Sequence, residues 1–166
     1  MLARASTITS AFEIGTNTGS NLDALKLLLP GATLAGIEIN SKAQEIAAKK
    51  GHLVQLGTAQ DVKKHRDYDL VFTSGVLIHI PPSDLGVIYD RMVDLSGRYV
   101  LTCEYYNPSP IEVVYRGHTD KLFKRDFAGD IMEAHGLRLI DYGFIYRRDP
   151  MWPGDDLTWF LMEKGR

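Results

Sequence analysis

Short apolar runs alternate along this chain with stretches whose leucines and isoleucines recur at three- and four-residue spacing. "SAFEIG" at 10–15 reads as a strand. A helix follows from about Gly19 to Leu29, with Leu22, Leu25, Leu28 and Leu29 as its apolar face and Pro30-Gly31 as its stop. "TLAGIEI" is a second buried strand. Ser41 and Gln44 then have capping-box spacing for a helix with Ala43, Ile46 and Ala47 inward. "HLVQLG" and "YDLVFTSGV" are further strands, Leu85, Ile88 and Met92 mark another helix, and "RYVLTCEYY" is a fifth strand. A helix over Lys124–His135, with Phe127 and Ile131 inward, ends at Gly136. "LRLIDYGFIYR" and "LTWFLMEK" close the chain with only turn residues between them, so they pair as an antiparallel hairpin. Phe144, Tyr146, Trp159 and Phe160 on that hairpin read as core.

Strands alternating with helices build a mostly parallel α/β sheet with helices on both faces, here seven strands with an antiparallel C-terminal hairpin. The 166 residues form one domain, 1–166, with enough chain for a proper core. A net charge of -2 argues against general attraction to nucleic acid. The single cysteine, Cys103, rules out an internal disulfide or a cysteine-based zinc site, and its apolar setting reads as a core thiol. No metal site is expected. No run approaches the roughly 20 apolar residues that span a bilayer, and the N-terminus lacks a secretory pattern, so the reading is cytoplasmic with no membrane partner.

In sheets of this kind ligands bind beyond the carboxyl ends of the strands. The first such loop is Glu13-Ile-Gly15-Thr-Asn17-Thr-Gly19. It lacks the G-x-G-x-x-G of a dinucleotide cradle and the Lys-Ser/Thr of a P-loop. Gly15 allows close backbone approach, Asn17 tolerates left-handed dihedrals, and Gly19 lets a helix start close to the strand. By itself this is equally a tight strand-to-helix turn. Glu38 ends an otherwise apolar strand, where an acid accepts both hydroxyls of an unphosphorylated ribose and repels a 2′-phosphate. After the third strand, Thr58 and Ala59 offer an oxygen and an N–H to an adenine edge, with Gln60 and Asp61 as rivals and Ile39 covering the ring. Ser74 and Gly75 follow the fourth strand. His79 is the histidine best placed to face a substrate; the competing reading packs it between Ile78 and Ile80.

"EIGTNTG", "GIEIN" and "YDLVFTSGVLIHIPP" together resemble the class I S-adenosylmethionine-dependent methyltransferases. Asn17 stands where the usual E/D-x-G-x-G-x-G motif has its middle glycine, and Gly57-Thr58-Ala59 where the adenine loop commonly reads Gly-Asp-Ala. Over residues 11–164, "EYYNP", "YRGH", "LFKRDFAG" and "DDLTWFL" are similar to the small methylases associated with pseudaminic acid biosynthesis. The resemblance implies a Rossmann-like methyltransferase sandwich and S-adenosyl-L-methionine as cofactor. Glu13, Gly15, Asn17, Gly19, Glu38, Ile39, Thr58, Ala59, Ser74 and Gly75 would contact that cofactor. It also implies a small-molecule acceptor, with an acidic sugar or nucleotide-sugar the expected kind. Members of that family carry a further segment before the first motif. Its shortness here leaves the cofactor open or completed by a second chain, as in a homodimer.

The acceptor side falls to the second half. Glu104 and Tyr105 would orient polar groups, Tyr106 would stack on a sugar face, and Arg116 with His118 would clamp a carboxylate or phosphate. His79, His118 and Tyr105 are the candidate catalytic groups, since a sugar hydroxyl needs a base near its proton. Lys124, Arg125, Arg147 and Arg148 add cations, or else pair with Asp120, Asp126, Asp149, Asp155 and Asp156 as a loop scaffold. "NPSP" at 107–110 is similar to a motif of nucleic-acid amino-methyltransferases but follows the wrong strand and lacks its trailing aromatic. Two other functions compete: a binding module without independent activity, and an NAD-dependent oxidoreductase. The second is disfavoured by the missing glycine fingerprint and the lack of a Tyr-x-x-x-Lys pair.

Overall fold

A computed structural model describes residues 2–114, 117, 119 and 122–165. The elements run β1 (Ser10–Ile14), α1 (Ser20–Leu28), β2 (Thr33–Glu38), α2 (Ser41–Lys49), β3 (Leu53–Leu56), β4 (Tyr68–Ser74), α3 (Leu85–Leu95) and β5 (Ser96–Glu104). Then come β6 (Ile111–Glu112), β7 (Phe123–Lys124), α4 (Phe127–His135), β8 (Arg138–Ile145) and β9 (Leu157–Glu163). A seven-stranded sheet has the order β3-β2-β1-β4-β5-β9-β8. Pairings among β1 to β5 are parallel, and β9 lies antiparallel to both β5 and β8. The strand order reverses between β1 and β4, and that gap opens the crevice above the sheet.

β1 is buried along its whole length because it lies mid-sheet with helices on both faces. On one face Phe12, Ile14, Val71 and Val100 pack against Ile88, Met92 and Ile131 of α3 and α4. On the other, Ala11, Leu70, Phe72 and Leu101 pack against Leu22 and Leu25 of α1. These two layers fix the strand ends whose loops build the site.

Several local expectations change. Helix α2 is capped by Asn40, whose side chain accepts from the N–H groups of Lys42 and Ala43, so the Ser41–Gln44 box is not used. Leu28 and Ile46 face solvent, because α1 and α2 each present only a narrow stripe to the sheet. Helix α4 starts at Phe127, capped by Asp126, since Phe123 and Lys124 pair with β6 as a small ribbon instead. Phe144 and Tyr146 are exposed, not core, because β8 is the sheet edge.

Candidate cofactor cleft and acceptor mouth

The loop after β1 is braced by the neighbouring strand. The N–H groups of Gly15 and Thr16 donate to the Ile37 carbonyl at 2.9 and 3.1 Å. Thr16, buried, sends its hydroxyl to the carbonyls of Glu13 and Ile37. That approach requires Gly36, because a side chain there would collide with the Thr16 hydroxyl and the Glu13 carbonyl. Gly15 (φ 76°) has the same logic on the opposite side: a β-carbon would strike Val76 of the loop after β4. Asn17 takes a left-handed conformation (φ 50°), as expected from its type.

Asn17 also turns its N–H onto Glu38, donating to Oε2 at 2.8 Å, while Asn40 N–H donates to Oε1 at 2.8 Å. Both carboxylate oxygens are thus fixed by backbone, each with acceptor capacity left for a ligand hydroxyl. Glu13 sits differently. It is fully buried beneath the loop and does not line the cleft, correcting its expected place among the cofactor contacts. Asn21 of α1 donates to its Oε1 at 2.7 Å, and its Oε2 has no hydrogen-bond partner. Burial pushes its carboxyl up to about 8; the Asn21 bond pulls down against that, and the nearby Glu38 charge adds to the rise. Glu13 is therefore a neutral acid at pH 7. Gly19 also stays outside the cleft, packed against His52 and Ala47.

The cleft is two contiguous cavities that share Gly15, Ile39, Val76 and Ile80. One, of about 620 Å³, is lined by Asn17, Glu38, Ser74, Gly75 and His79 among others. The second, about 320 Å³ and mainly apolar, is lined by Ile37, Thr58, Ala59, Gln60 and Ile88. Ile39 is 70% exposed, an apolar side chain presented to the cleft. His79 ends a 3-10 turn, Leu77–His79, and is exposed, so the reading that buries it between Ile78 and Ile80 is overturned. Thr58 donates its N–H and its hydroxyl to Asp61 Oδ2 at 2.8 and 2.7 Å. The Thr58 hydroxyl and the rival Asp61 are thus committed to one another, and Gln60 is the rival that reaches the cavity.

On the acceptor side, Glu104 is not at the surface. Its Oε1 accepts from Val76 N–H and Leu77 N–H at 3.1 and 3.2 Å, tethering the loop that carries His79. Burial pushes its carboxyl up to about 7, with those backbone bonds pulling down. It is a strut and not an acceptor contact: it ends an interior strand, and its side chain is buried against the loop after β4. Tyr105 and Tyr106 line a separate cavity of about 610 Å³ with Lys124, Arg147, Asp155 and Asp156. Lys124 Nζ lies 5.0 Å from the Tyr105 ring centre, and Tyr106 packs 5.7 Å from Phe160. Arg147 Nε is 3.2 Å from Asp156, a partner the scaffold reading expected. Arg116 and His118 lie outside the described residues. Burial pushes the Cys103 thiol up to about 11, as suits an inert core thiol.

Thr16, Gly36 and Asn21 are not singled out by the sequence pattern. A glycine inside an apolar strand is the available signal for Gly36; nothing local marks Asn21, which matters only because α1 places it over Glu13. Among the described residues no cluster suits a metal ion and no helix is long and apolar enough to cross a membrane.

No family model matches the sequence, and no curated protein matches it. Solved structures do match the fold. A SAM-dependent methyltransferase from Archaeoglobus fulgidus superposes with a TM-score of 0.75 at 14% identity, covering 98% of this chain and 89% of that one. The fold is that of the class I S-adenosylmethionine-dependent methyltransferases. Magnesium protoporphyrin IX methyltransferase from Synechocystis, with bound SAM, matches at 0.71 and 17% identity over 95% of this chain and 70% of its own. A Burkholderia thailandensis 1,6-didemethyltoxoflavin-N1-methyltransferase bound to 1,6-didemethyltoxoflavin and S-adenosylhomocysteine matches at 0.74 and 11%, over 95% and 71%.

Proposed function

We propose that this chain is an S-adenosylmethionine-dependent methyltransferase acting on a small molecule. The observation that carries this is Glu38, held at the end of β2 by two backbone N–H groups over a cleft whose other half is an apolar slot. The residues fit the cofactor: an acid for two ribose hydroxyls, a slot between Ile39 and Ala59 for a purine, and open space beside Gly75 for close approach of the amino-acid end. When bound, S-adenosylmethionine supplies a sulfonium methyl that passes to an acceptor lone pair as the carbon–sulfur bond breaks, sulfur keeping the bonding electrons. Ile39 and Ile80 exclude water from the slot, and Val76, wedged against Gly15, fixes the width of the cleft. His79 takes the proton of an acceptor hydroxyl at a ring nitrogen; the dominant contribution of the protein is alignment.

An acidic sugar or sugar derivative is the proposed acceptor. It draws on the likeness to the pseudaminic acid-associated methylases and on Tyr105 and Tyr106, which stand beside Lys124 in a cavity where Arg147 is already paired with Asp156. Calorimetric titration with S-adenosylhomocysteine and with NAD tests the cofactor. S-adenosylhomocysteine binds and NAD does not. Glu38→Ala weakens the former on the order of 10²-fold, two hydrogen bonds to a charged acceptor being lost. Glu38→Gln, which keeps the shape, weakens it less. Micromolar NAD binding without S-adenosylhomocysteine, or undiminished affinity in Glu38→Ala, overturns the reading.

A further inference from the structure

The loop after β4 lines both halves of the cofactor cleft, through Gly75, Val76, His79 and Ile80. Three successive amides anchor it to the end of β5. Gly75 N–H donates to the Cys103 carbonyl at 2.9 Å, and Val76 N–H and Leu77 N–H both donate to Glu104 Oε1. From this anchor the frame extends in two directions. The Val76 side chain lies so close to Gly15 that a β-carbon at position 15 would collide with it. The carbonyls of Val76 and Leu77 accept from His79 N–H and Ile80 N–H at 2.9 and 3.1 Å, closing the turn that ends in His79. One carboxylate oxygen thus fixes the backbone that carries both the side chain against the cofactor loop and the candidate base.

We propose that Glu104 is a positioning residue for methyl transfer: through the Val76 and Leu77 amides its carboxylate sets the width of the cofactor cleft and the place of His79. The consequence for transfer rests on the methyltransferase reading; the tether itself does not. Glu104 is 2% exposed, and its Oε2 has no hydrogen-bond partner among the described residues. The titratable and charged groups about it are Cys103 on its own strand, Tyr106 just beyond, His79 on the tethered loop, Tyr89 of α3, Arg125, and Asp130 of α4. Arg125 is ion-paired with Asp130, and the Tyr89 hydroxyl donates to Asp130 as well. The amides of the loop are therefore what answers the charge of Glu104. An N–H donating to an ionised oxygen is bound about twice as strongly as one donating to a neutral oxygen. Burial raises this carboxyl from 4.5 to about 7. The strong form of the tether is present above about pH 7 and weakens as pH falls through it.

The test has a ligand-free arm and a ligand arm. Heteronuclear NMR of the full chain follows the Val76 and Leu77 amide protons between pH 6 and pH 8. In the parent both move upfield as pH falls through about 7, because their hydrogen bonds weaken when the acceptor is protonated. In Glu104→Gln they stay still. Calorimetric titration then gives S-adenosylhomocysteine affinity at pH 6 and pH 7.5. In the parent it falls by up to about eightfold at the lower pH, the ratio of the ionised fractions of Glu104. Glu104→Gln, always neutral, binds no better at pH 7.5 than the parent does at pH 6 and shows no pH dependence. Histidine ordinarily titrates in the same range, so His79→Ala is the control: whatever its affinity, it keeps both the pH dependence and the amide shifts. These two proteins decide the matter even where Glu104→Gln fails to fold. Amides that stay still in the parent overturn the proposal. So do shifting amides with an affinity indifferent to pH, or a pH dependence that His79→Ala abolishes. Shifting amides with no S-adenosylhomocysteine binding at either pH keep the tether and remove the methyl-transfer reading.

Discussion

The first half of the sheet and the second half use acids in opposite ways. At the end of β2, Glu38 is held by two N–H groups from its own strand-end loop and from the loop after β1, and it faces the cleft. At the end of β5, Glu104 also takes two N–H groups, from the loop after β4, but is buried and faces no ligand space of useful size. The first arrangement presents a carboxylate; the second spends one on architecture. The cofactor half is consequently preset by backbone, whereas the acceptor half presents long side chains such as Lys124 and Arg147 around a cavity.

Three variants break or sharpen this contrast. The largest effect is expected of Gly15→Val, which adds a side chain at φ 76° against Val76. Strain of that kind and the displaced loop cost on the order of 3 kcal/mol or more. The displaced loop also lowers S-adenosylhomocysteine affinity in calorimetry, on the order of 10²-fold, about 2.7 kcal/mol of binding; affinity close to that of the parent would mean that the cofactor half is not preset.

Next comes Glu13→Gln. The Glu13 carboxyl is raised from 4.5 to about 8, so the folded chain holds a proton that the unfolded chain has released across that interval. Its contribution to stability is fully present below pH 4.5 and is lost as pH rises through about 8. Glutamine, always neutral, keeps the shape and removes that dependence. Denaturant melts at pH 5 and pH 8.5 should show the variant gaining on the parent at the higher pH by a few kcal/mol. The gain is about 1.4 kcal/mol for each pH step over which only the folded parent keeps the proton. An equal difference at both pH values would contradict the buried neutral acid.

The smallest of the three is His79→Ala. An exposed base is replaced in part by water, so turnover measured by homocysteine release falls about 10²-fold, the low end for a positioned base. S-adenosylhomocysteine affinity separates two roles: a proton-accepting His79 leaves it close to that of the parent, whereas a cofactor contact, from its place in the cavity of Glu38 and Gly75, lowers it. Unchanged turnover would remove the proton-accepting role and leave alignment as the whole contribution of the protein.

Much of this is legible in the sequence. The βαβ alternation, the closing hairpin, Gly136 as a helix stop and the positive φ at Asn17 all depend on residue type and near neighbours, and the structure agrees with each. Leu28, Ile46, Phe144 and Tyr146 read as inward from their spacing and yet face solvent, because periodicity reports which residues share a face, not whether anything covers that face. Asn40 displaces Ser41 as the cap through a one-residue shift of the helix start. Glu13 and Glu104 look like ligand contacts because each is an acid in an apolar strand. Such an acid serves a ligand only when it emerges from the sheet, and emergence is a tertiary property.

The sequence by itself determined the order of strands and helices, the loops that meet above the carboxyl ends, and the acid at position 38, because these follow from hydrophobic period, backbone permissiveness and charge. Only the tertiary structure decided which acids reach the cleft and that His79 is exposed. Those properties depend on how far each strand runs past its neighbours and on what lies across the sheet, distances that no local pattern encodes.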